Sequence, residues 1–265
     1  MKALWTNDVH LEFLDERRRG LFLRKLGSTD ADCILIAGDM GQASSIVSYL
    51  KEMEAILKRP VYFVLGNHDY YYGSIHSIRA SVRNLVEQSR WLRWVTESGV
   101  TRLTDKTALI GHDGWGDGRF GNHISSRVEL NDFLFIKELS GLSRKERLQR
   151  IGALGDETAQ HFMKVLPEAF GAANHVVVLT HVPPFVEAAW YQGGHSGPDW
   201  LPFFACKAAG EVLRAAMQEH PDKQMTVLCG HTHGGGVSQI LPNLVAHTGA
   251  ARYGHPVAQG MFDWD

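Results

Sequence analysis

The sequence has little cysteine: only Cys33, Cys206 and Cys229 occur among its 265 residues. These three residues are odd in number, far apart and outside any Cys-X-X-Cys pattern, so they predict reduced thiols rather than a disulfide framework. No apolar run approaches the roughly 20 residues of a membrane span. The stretch before the first charges has too few apolar side chains for a signal peptide. These absences predict a cytoplasmic protein with no membrane partner.

The sequence also lacks a strong net charge. Its 27 basic and 29 acidic residues give a formal net charge of −2 at pH 7, so no global field attracts nucleic acid or an acidic membrane. One basic run, Arg17-Arg18-Arg19, lies in a predicted helix, where a solvated helix face explains it more simply than a phosphate site does. Without an extended basic face, the composition disfavours nucleic acid as a partner.

Short apolar runs, most of them followed by a segment of helical periodicity, organise the chain. The predicted strands are residues 2–6, 33–37, 61–65, 107–111, 175–180 and 225–229, with a closing pair over 237–248. The predicted helices cover 11–27, 43–58, 74–90, 155–170 and 206–219, and charged helical segments cover about 127–152. This repeated order of strand, helix and strand predicts βαβ units around a largely parallel sheet.

The middle of the chain differs in composition from the rest. A glycine-rich and aromatic stretch begins at His112, and strongly charged helical segments follow it to about residue 152. No linker rich in proline or serine brackets this region. The sequence therefore predicts a single domain over residues 1–265 that carries an insertion at about 112–152.

Histidine is abundant, with 14 residues, and several histidines follow predicted strands together with aspartate and asparagine. Because the carboxyl ends of parallel strands share one edge of a sheet, these side chains are expected to converge. A set of oxygen and nitrogen donors without cysteine suits Mn, Fe or Zn, and it is too large for one tetrahedral site. Two metals that share a carboxylate would use all the donors of this set. The residues are Asp8, His10, Asp39, Asn67, His68, His181, His231 and His233.

The motif order Asp-X-His, Gly-Asp-X-Gly, Gly-Asn-His-Asp, Thr-His and Gly-His-Thr-His resembles that of the calcineurin-like metallophosphoesterase superfamily. The motifs span residues 8–233. The resemblance implies an α/β fold, a four-layer sandwich of two stacked mixed β-sheets flanked by helices. It implies that the first metal is bound by Asp8, His10, Asp39 and His233. It implies that the second metal is bound by the bridging Asp39 with Asn67, His181 and His231. By the same resemblance His68 is the catalytic histidine, and Asp69 orients it.

The predicted chemistry is that of a binuclear metal-dependent hydrolase of phosphate esters. Two divalent cations outweigh Asp8, Asp39 and a bridging hydroxide by about one charge, so the site attracts an anionic ester. Coordination lowers the pKa of water towards about 7, and the metal-bridging hydroxide would attack phosphorus in line. His68 could donate a hydrogen bond to phosphate or a proton to the departing alkoxide. The cofactors are predicted to be two divalent or mixed-valence ions of Mn, Fe or Zn.

The substrate is predicted to be a small-molecule or nucleotide-like phosphodiester or monoester. Two alternatives stay open, a protein phosphatase and a non-catalytic metal-binding interaction scaffold. A decayed scaffold should have lost a bridging ligand or His68, whereas every position is filled here. Three further residues are expected to contact substrate: His112 and Trp115, in a loop that follows a predicted strand, and His195, in a glycine-rich stretch.

Overall fold

Thirteen β-strands and eight α-helices make up the protein, and the computed structural model describes all 265 residues. The strands are β1 (Lys2–Thr6), β2 (Cys33–Ala37), β3 (Val61–Val64), β4 (Leu92–Trp94), β5 (Thr101–Arg102), β6 (Thr107–His112), β7 (His175–Thr180), β8 (Trp190–Tyr191), β9 (Gly194–His195), β10 (Gln224–Cys229), β11 (Gly236–Leu241), β12 (Leu244–Thr248) and β13 (Ala258–Asp263). The helices are α1 (Glu16–Gly27), α2 (Ile46–Leu57), α3 (Ile75–Gln88), α4 (Val95–Ser98), α5 (Asp132–Phe135), α6 (Arg144–Ala172), α7 (Leu201–Phe204) and α8 (Lys207–Glu219). None of the helices is both long enough and apolar enough to cross a lipid bilayer.

The strands form two large mixed sheets. In the first sheet the order is β13-β1-β2-β3-β4, in which β1 to β4 are parallel and β13 is antiparallel to β1. In the second sheet the order is β11-β12-β10-β7-β6-β5, with a parallel centre and antiparallel strands at both edges. Strands β8 and β9 form a separate short hairpin. Within each sheet the carboxyl ends of the parallel strands therefore lie along one edge.

The two sheets stack face to face because their central strands are apolar on both faces. Trp5 and Leu35 of the first sheet pack with Val177 and Leu228 of the second in a core between the sheets. The other face of the first sheet packs on α1, α2 and α3, and the other face of the second sheet packs on α6 and α8. This arrangement confirms the predicted α/β fold, a four-layer sandwich of two stacked mixed β-sheets flanked by helices.

One long helix, α6, takes the place of the separate helical segments predicted before and after residue 153. It begins at Ser143, which forms a reciprocal capping box with Glu146, and it continues through Gly152 and Gly155. Gly155 allows close packing, because a Cβ there would lie 2.4 Å from the Cβ of Asp117. Tertiary packing thus extends the helix across two glycines that weaken it locally. The helix also runs through the expected end of the insertion.

The structure adds three edge strands to the two large sheets, β4, β5 and β13, that the sequence pattern does not predict. Strand β13 pairs with β1, with Met261 opposite Leu4, and all of its side chains are exposed or half-buried. Such a strand forms through backbone pairing with its neighbour and needs no apolar alternation of its own.

Candidate metal centre

The carboxyl ends of the central strands of both sheets meet at one edge of the sandwich. The residues predicted from the sequence follow these strands: Asp8 and His10 after β1, Asp39 after β2, Asn67 and His68 after β3, His181 after β7, and His231 and His233 after β10. The distances between their donor atoms show that all of these side chains converge. The seven predicted ligands therefore lie in one place, with His68 beside them.

The backbone at this edge is strained. A positive φ costs a residue other than glycine about 1–3 kcal/mol, and such residues concentrate at functional sites. A hydrogen bond joins the loops after β1 and β2: the N–H of His10 donates to the carbonyl of Asp39 at 3.0 Å. The predicted ligands with positive φ are Asp8 (46°), His10 (40°), Asp39 (52°), His231 (70°) and His233 (59°).

Four side chains form a first cluster of donor atoms. Asp8, His10, Asp39 and His233 each offer one atom, and these atoms all lie within 4.8 Å of one another. The Nε2 atoms of His10 and His233 are 3.2 Å apart. Nε2 of His233 lies 3.4 Å from Oδ1 of Asp8, and Nε2 of His10 lies 3.7 Å from Oδ2 of Asp39. Two carboxylates and two imidazoles at this separation can surround one divalent cation.

A second cluster lies on the other side of Asp39. Oδ1 of Asn67 is 3.0 Å from Nε2 of His181 and 3.0 Å from Nδ1 of His231. Those two nitrogens are 3.2 Å apart. Nε2 of His181 lies 3.4 Å from Oδ1 of Asp39. Asp39 thus presents one carboxylate oxygen to each cluster, which is the geometry of a carboxylate shared between two cations.

Hydrogen bonds on the outer nitrogens orient the imidazoles of the second cluster. Nδ1 of His181 donates to the carbonyl of Ala37 at 2.9 Å, and Nε2 of His231 donates to the carbonyl of Phe203 at 3.1 Å. The remaining nitrogen of each ring is then unprotonated and faces the cluster. Burial lowers the pKa of His231 to about 3 and that of His10 to about 4. Both imidazoles are therefore neutral at pH 7 and able to act as ligands.

The electrostatics of Asp39 favour a bound cation. Burial, followed by the charges of Asp8 and Asp69, raises the pKa of Asp39 well above its ordinary value. Buried like charges without compensation are unfavourable, and a cation between them removes the penalty. The donors are oxygen and imidazole nitrogen without sulfur, which suits Mn, Fe or Zn. The residues present therefore fit a pair of divalent metal ions.

An open cleft of about 360 Å³ lies over both clusters. No lysine or arginine lines it, and its acidic lining residues beyond the clusters are Glu129 and Asp132. Tyr191, Trp200 and Phe204 form one wall, with their ring centroids 4.9 to 5.2 Å apart. An anionic group of a ligand in this cleft would therefore find positive charge only on metal ions held by the two clusters, while a ring can pack on the aromatic wall.

His68 lies on the floor of the cleft beside the clusters. Its ring stacks on Tyr71, with the centroids 4.2 Å apart, and meets His10 edge-on at 4.5 Å. Its backbone N–H donates to Oδ1 of Asp39 at 2.9 Å. These contacts hold the imidazole where it can reach a phosphate ester bound over the clusters.

The predicted role of Asp69 needs correction, because its side chain turns away from His68. Oδ1 of Asp69 accepts the backbone N–H groups of Met40 at 2.9 Å and Gly41 at 2.8 Å, and Oδ2 accepts that of Gly66 at 2.8 Å. Both oxygens of this buried side chain are therefore committed to backbone donors. Asp69 holds the loops after β2 and β3 together and does not orient the imidazole.

The three residues expected to contact substrate lie away from the cleft. His112 is the last residue of β6, and its buried ring contacts α6. Trp115 is also buried, packed near Tyr70. His195 lies in β9, where its ring packs on Trp190 at 4.2 Å. None of the three lines the cleft, because packing buries His112 and Trp115 and the exposed His195 lies outside it, in contrast to the expectation from their loop positions.

Sequence reasoning missed three residues that complete the site. Tyr253 lines the cleft and packs within 4.9 Å of the rings of His10 and His233. Glu12 lies beside His68 and follows His10 by two positions, a spacing that could have signalled it. Asp132 contacts Asn67 across 65 positions of sequence, and no local pattern indicates that contact.

Comparison with known proteins identifies relatives of this architecture. A family model described as calcineurin-like phosphoesterase matches residues 1–235. No curated protein sequence matches significantly. A phosphopantetheinyl hydrolase from Mycobacterium tuberculosis has a similar structure, with a TM-score of 0.68 and 12% identity over 95% of this chain and 89% of that chain. A dimetal phosphatase from Danio rerio has a TM-score of 0.59 and 14% identity over 94% of this chain and 87% of that chain.

A third similar structure is a 5′-nucleotidase from Candida albicans, with a TM-score of 0.51 and 11% identity over 95% of this chain and 45% of that chain. At these identities the solved structures establish the fold, whereas the family match covers most of the chain. The family implies a binuclear divalent metal centre, and the two clusters around Asp39 are the candidate site for it. The chain therefore belongs to the calcineurin-like phosphoesterase family and is a metal-dependent phosphoesterase.

Proposed function

We propose that the chain hydrolyses small-molecule phosphate esters, phosphodiesters or monoesters, at a binuclear metal centre. The observation that carries this proposal is the position of Asp39 between the two donor clusters, with one oxygen towards each. Asp8, His10 and His233 would hold the first metal with Asp39. Asn67, His181 and His231 would hold the second. The metals would be divalent or mixed-valence Mn, Fe or Zn.

Bound metals would supply charge stabilisation for the phosphoryl oxygens and an activated hydroxide that attacks phosphorus in line. The protein's own contribution is to hold the ligands in place, and the positive φ angles of Asp8, Asp39 and His231 indicate that the surrounding structure fixes their backbone. His68 would hydrogen-bond the phosphate or protonate the departing oxygen, because its ring lines the cleft beside the clusters.

The cleft favours a small substrate that bears a ring. A volume of about 360 Å³ is in the range of small-molecule sites. The wall of Tyr191, Trp200 and Phe204 offers stacking to a planar group. The absence of lysine and arginine from the lining disfavours a polyanion such as nucleic acid. The name of one structural neighbour, a 5′-nucleotidase, agrees with a nucleotide-like ester.

Two features support the remaining parts of the proposal. The cysteines Cys33, Cys206 and Cys229 are unpaired and buried, which agrees with a cytoplasmic, reducing compartment. The segment Glu129–Asp132 lines the cleft, which agrees with a single domain whose insertion at about 112–152 contributes to the site. No feature of the cleft favours a protein phosphatase, and the complete donor set disfavours a non-catalytic scaffold.

The proposal is tested by metal removal, reconstitution with Mn and assay on bis-p-nitrophenyl phosphate beside p-nitrophenyl phosphate. We expect about two metal ions per chain and turnover of at least one ester. Preference for the diester indicates a phosphodiesterase, and preference for the monoester indicates a phosphatase. Asp39→Ala should lose metal and activity together, whereas Asp105→Ala, which changes a fully exposed carboxylate, should lose neither. A protein that binds no metal after reconstitution would contradict the proposal.

A further inference from the structure

Glu12 is a carboxylate that none of the predicted roles uses, and it lies at the metal centre. It occupies a single 3-10 turn, Leu11–Phe13, that follows His10 directly. Its side chain is 12% exposed. A carboxylate removed from water to this extent needs hydrogen-bond or ionic partners to offset its lost hydration. The partners of Glu12 therefore indicate what its position serves.

The carboxylate of Glu12 lies between two imidazoles. Oε1 of Glu12 is 3.4 Å from Nδ1 of His10 and 3.8 Å from Nδ1 of His68. The His10 contact fits the ligand role of that residue, because a proton on Nδ1 leaves Nε2 free to face the first cluster. The His68 contact is just beyond hydrogen-bond length, and contacts of this kind often tighten when substrate binds.

Two buried side-chain atoms of this pair of residues have no hydrogen-bond partner. They are Nδ1 of His68 and Oε2 of Glu12. An unpartnered buried donor is unfavourable, and the acceptor that lies towards Nδ1 of His68 is Oε1 of Glu12, at 3.8 Å. The rings of Tyr71 and His10 pack against the imidazole of His68. This packing leaves Nδ1 directed inward to Glu12 while His68 still lines the cleft.

We propose that Glu12, and not Asp69, positions His68 for catalysis. Glu12 accepts a hydrogen bond from Nδ1–H of His68, and Nε2–H of the same ring faces the substrate. This inference rests on the proposed function. As the bond between phosphorus and the leaving oxygen breaks, that oxygen takes the Nε2 proton together with the electron pair of the broken bond. The imidazolium becomes neutral, and Glu12 keeps its charge throughout.

Glu12→Gln is the discriminating variant, because the amide keeps the size of the side chain but removes its charge, and a hydrogen bond to a charged acceptor is roughly twice as strong as one to a neutral acceptor. The assay compares p-nitrophenyl phosphate with benzyl phosphate, or the corresponding diesters if the wild type prefers them. A nitrophenolate leaves without a proton, whereas a benzyl alkoxide needs one. We expect kcat on the benzyl ester to fall by about 10–100-fold, the effect usual for an outer hydrogen-bond partner. The nitrophenyl ester should change by less than about threefold when both proteins are saturated with metal.

Glu12→Ala should enlarge the same difference between the two esters, and Glu16→Gln is the matched control. Glu16 is an exposed carboxylate four positions along the chain. An equal loss on both esters would show that Glu12 acts only on general structure.

The three side chains His10, Glu12 and His68 also form a cluster able to hold a cation. If the wild type binds a third metal ion and Glu12→Gln does not, Glu12 is a metal ligand and does not position His68.

A spectroscopic measurement separates this inference from the proposed function. In the zinc-reconstituted protein, long-range ¹H–¹⁵N correlation reports which ring nitrogen of His68 carries the proton. We expect a proton at Nδ1 in the wild type and a changed Nδ1 resonance in Glu12→Gln. An unprotonated Nδ1, or an identical resonance in both proteins, would overturn the role of Glu12 whether or not any ester is hydrolysed. Absent turnover with the expected resonances would instead count against the proposed function alone.

Discussion

Oδ1 of Asp132 accepts a hydrogen bond from the side-chain amide of Asn67 at 2.8 Å and a second from the hydroxyl of Tyr71 at 2.8 Å. Because the amide nitrogen of Asn67 is committed to Asp132, its oxygen faces His181 and His231. Asp132 belongs to the segment predicted as an insertion. A residue distant in sequence therefore determines which atom of Asn67 is offered to the second metal.

Asp132→Ala should weaken binding at the second metal position, because the Asn67 amide becomes free to rotate. We expect about a 10–100-fold loss of affinity for one of two Mn ions, as is usual when a ligand loses its outer partner. Isothermal titration of the metal-free protein with Mn measures both sites. Glu129→Gln is the control, since Glu129 lines the same cleft but pairs with Arg147. Equal losses in both variants would mean that only the charge of the cleft matters.

Asp39→Asn should stabilise the metal-free protein while it abolishes metal binding. The buried Asp39 carboxylate is destabilising without a cation because Asp8 and Asp69 lie near it. We expect the Tm measured in EDTA to rise by about 2–4 °C, the shift that about 1 kcal/mol gives in a chain of this size. Asp105→Asn, at a fully exposed carboxylate, should leave the Tm unchanged. A lower Tm for Asp39→Asn would show that its hydrogen bond to His68 outweighs the repulsion.

The contribution of Asp39 to the stability of the metal-free protein should fall as pH rises through the acid range. The pKa of Asp39 is raised in the folded protein above the ordinary value of 3.8, so the folded state binds this proton more tightly than the unfolded state. The contribution is fully present below the unfolded pKa and is lost as pH rises towards the folded pKa. Denaturation with urea across this range should show that Asp39→Asn gains stability relative to the wild type as pH rises. Identical pH profiles would contradict the raised pKa.

His68→Ala should lower turnover without releasing metal, because His68 lines the cleft and is not among the predicted ligands. We expect kcat on an alkyl ester to fall by about 10²–10⁴-fold, the usual contribution of a general acid. Metal content should match the wild type by elemental analysis. His76→Ala, at an exposed histidine on α3, is the control. Full turnover of an alkyl ester by His68→Ala would disprove the assigned role.

Trp200→Ala should raise KM for esters that carry a ring. Trp200 stacks on Phe204 with centroids 4.9 Å apart and forms part of the cleft wall. We expect about a tenfold increase, equivalent to about 1.4 kcal/mol, for a ring-bearing ester and a smaller change for a methyl ester. Steady-state kinetics on both esters measure the difference. Trp91→Ala is the control, because Trp91 precedes β4 at the opposite end of the sheet. Unchanged KM values would mean that the wall does not contact substrate.

The location of the metal centre was readable from local patterns. Buried parallel strands appear as short apolar runs, and polar residues directly after them can only lie at the carboxyl edge of a sheet. Asp8, Asp39 and His181 therefore needed no side-chain detail to be brought together. The helix α6 and the strand β13 were harder to predict from the sequence, because packing and pairing with neighbours override weak local signals.

Side-chain directions were not readable in the same way. Asp69 is adjacent to His68 in sequence, yet the short turn that contains both directs its carboxylate to the backbone of Met40 and Gly41. The carboxylate that faces His68 instead comes from Glu12, on a different strand end.

The sequence by itself determined the family, the α/β sandwich and the set of residues that we propose as ligands of two metals. Apolar periodicity and polar residues at strand ends are local properties, which the order of residues specifies directly. Only the tertiary structure decided that Glu12 faces His68, that Asp132 holds Asn67 and that His112 is buried under α6. Those contacts join segments far apart in the chain, and their geometry depends on how whole elements pack against one another.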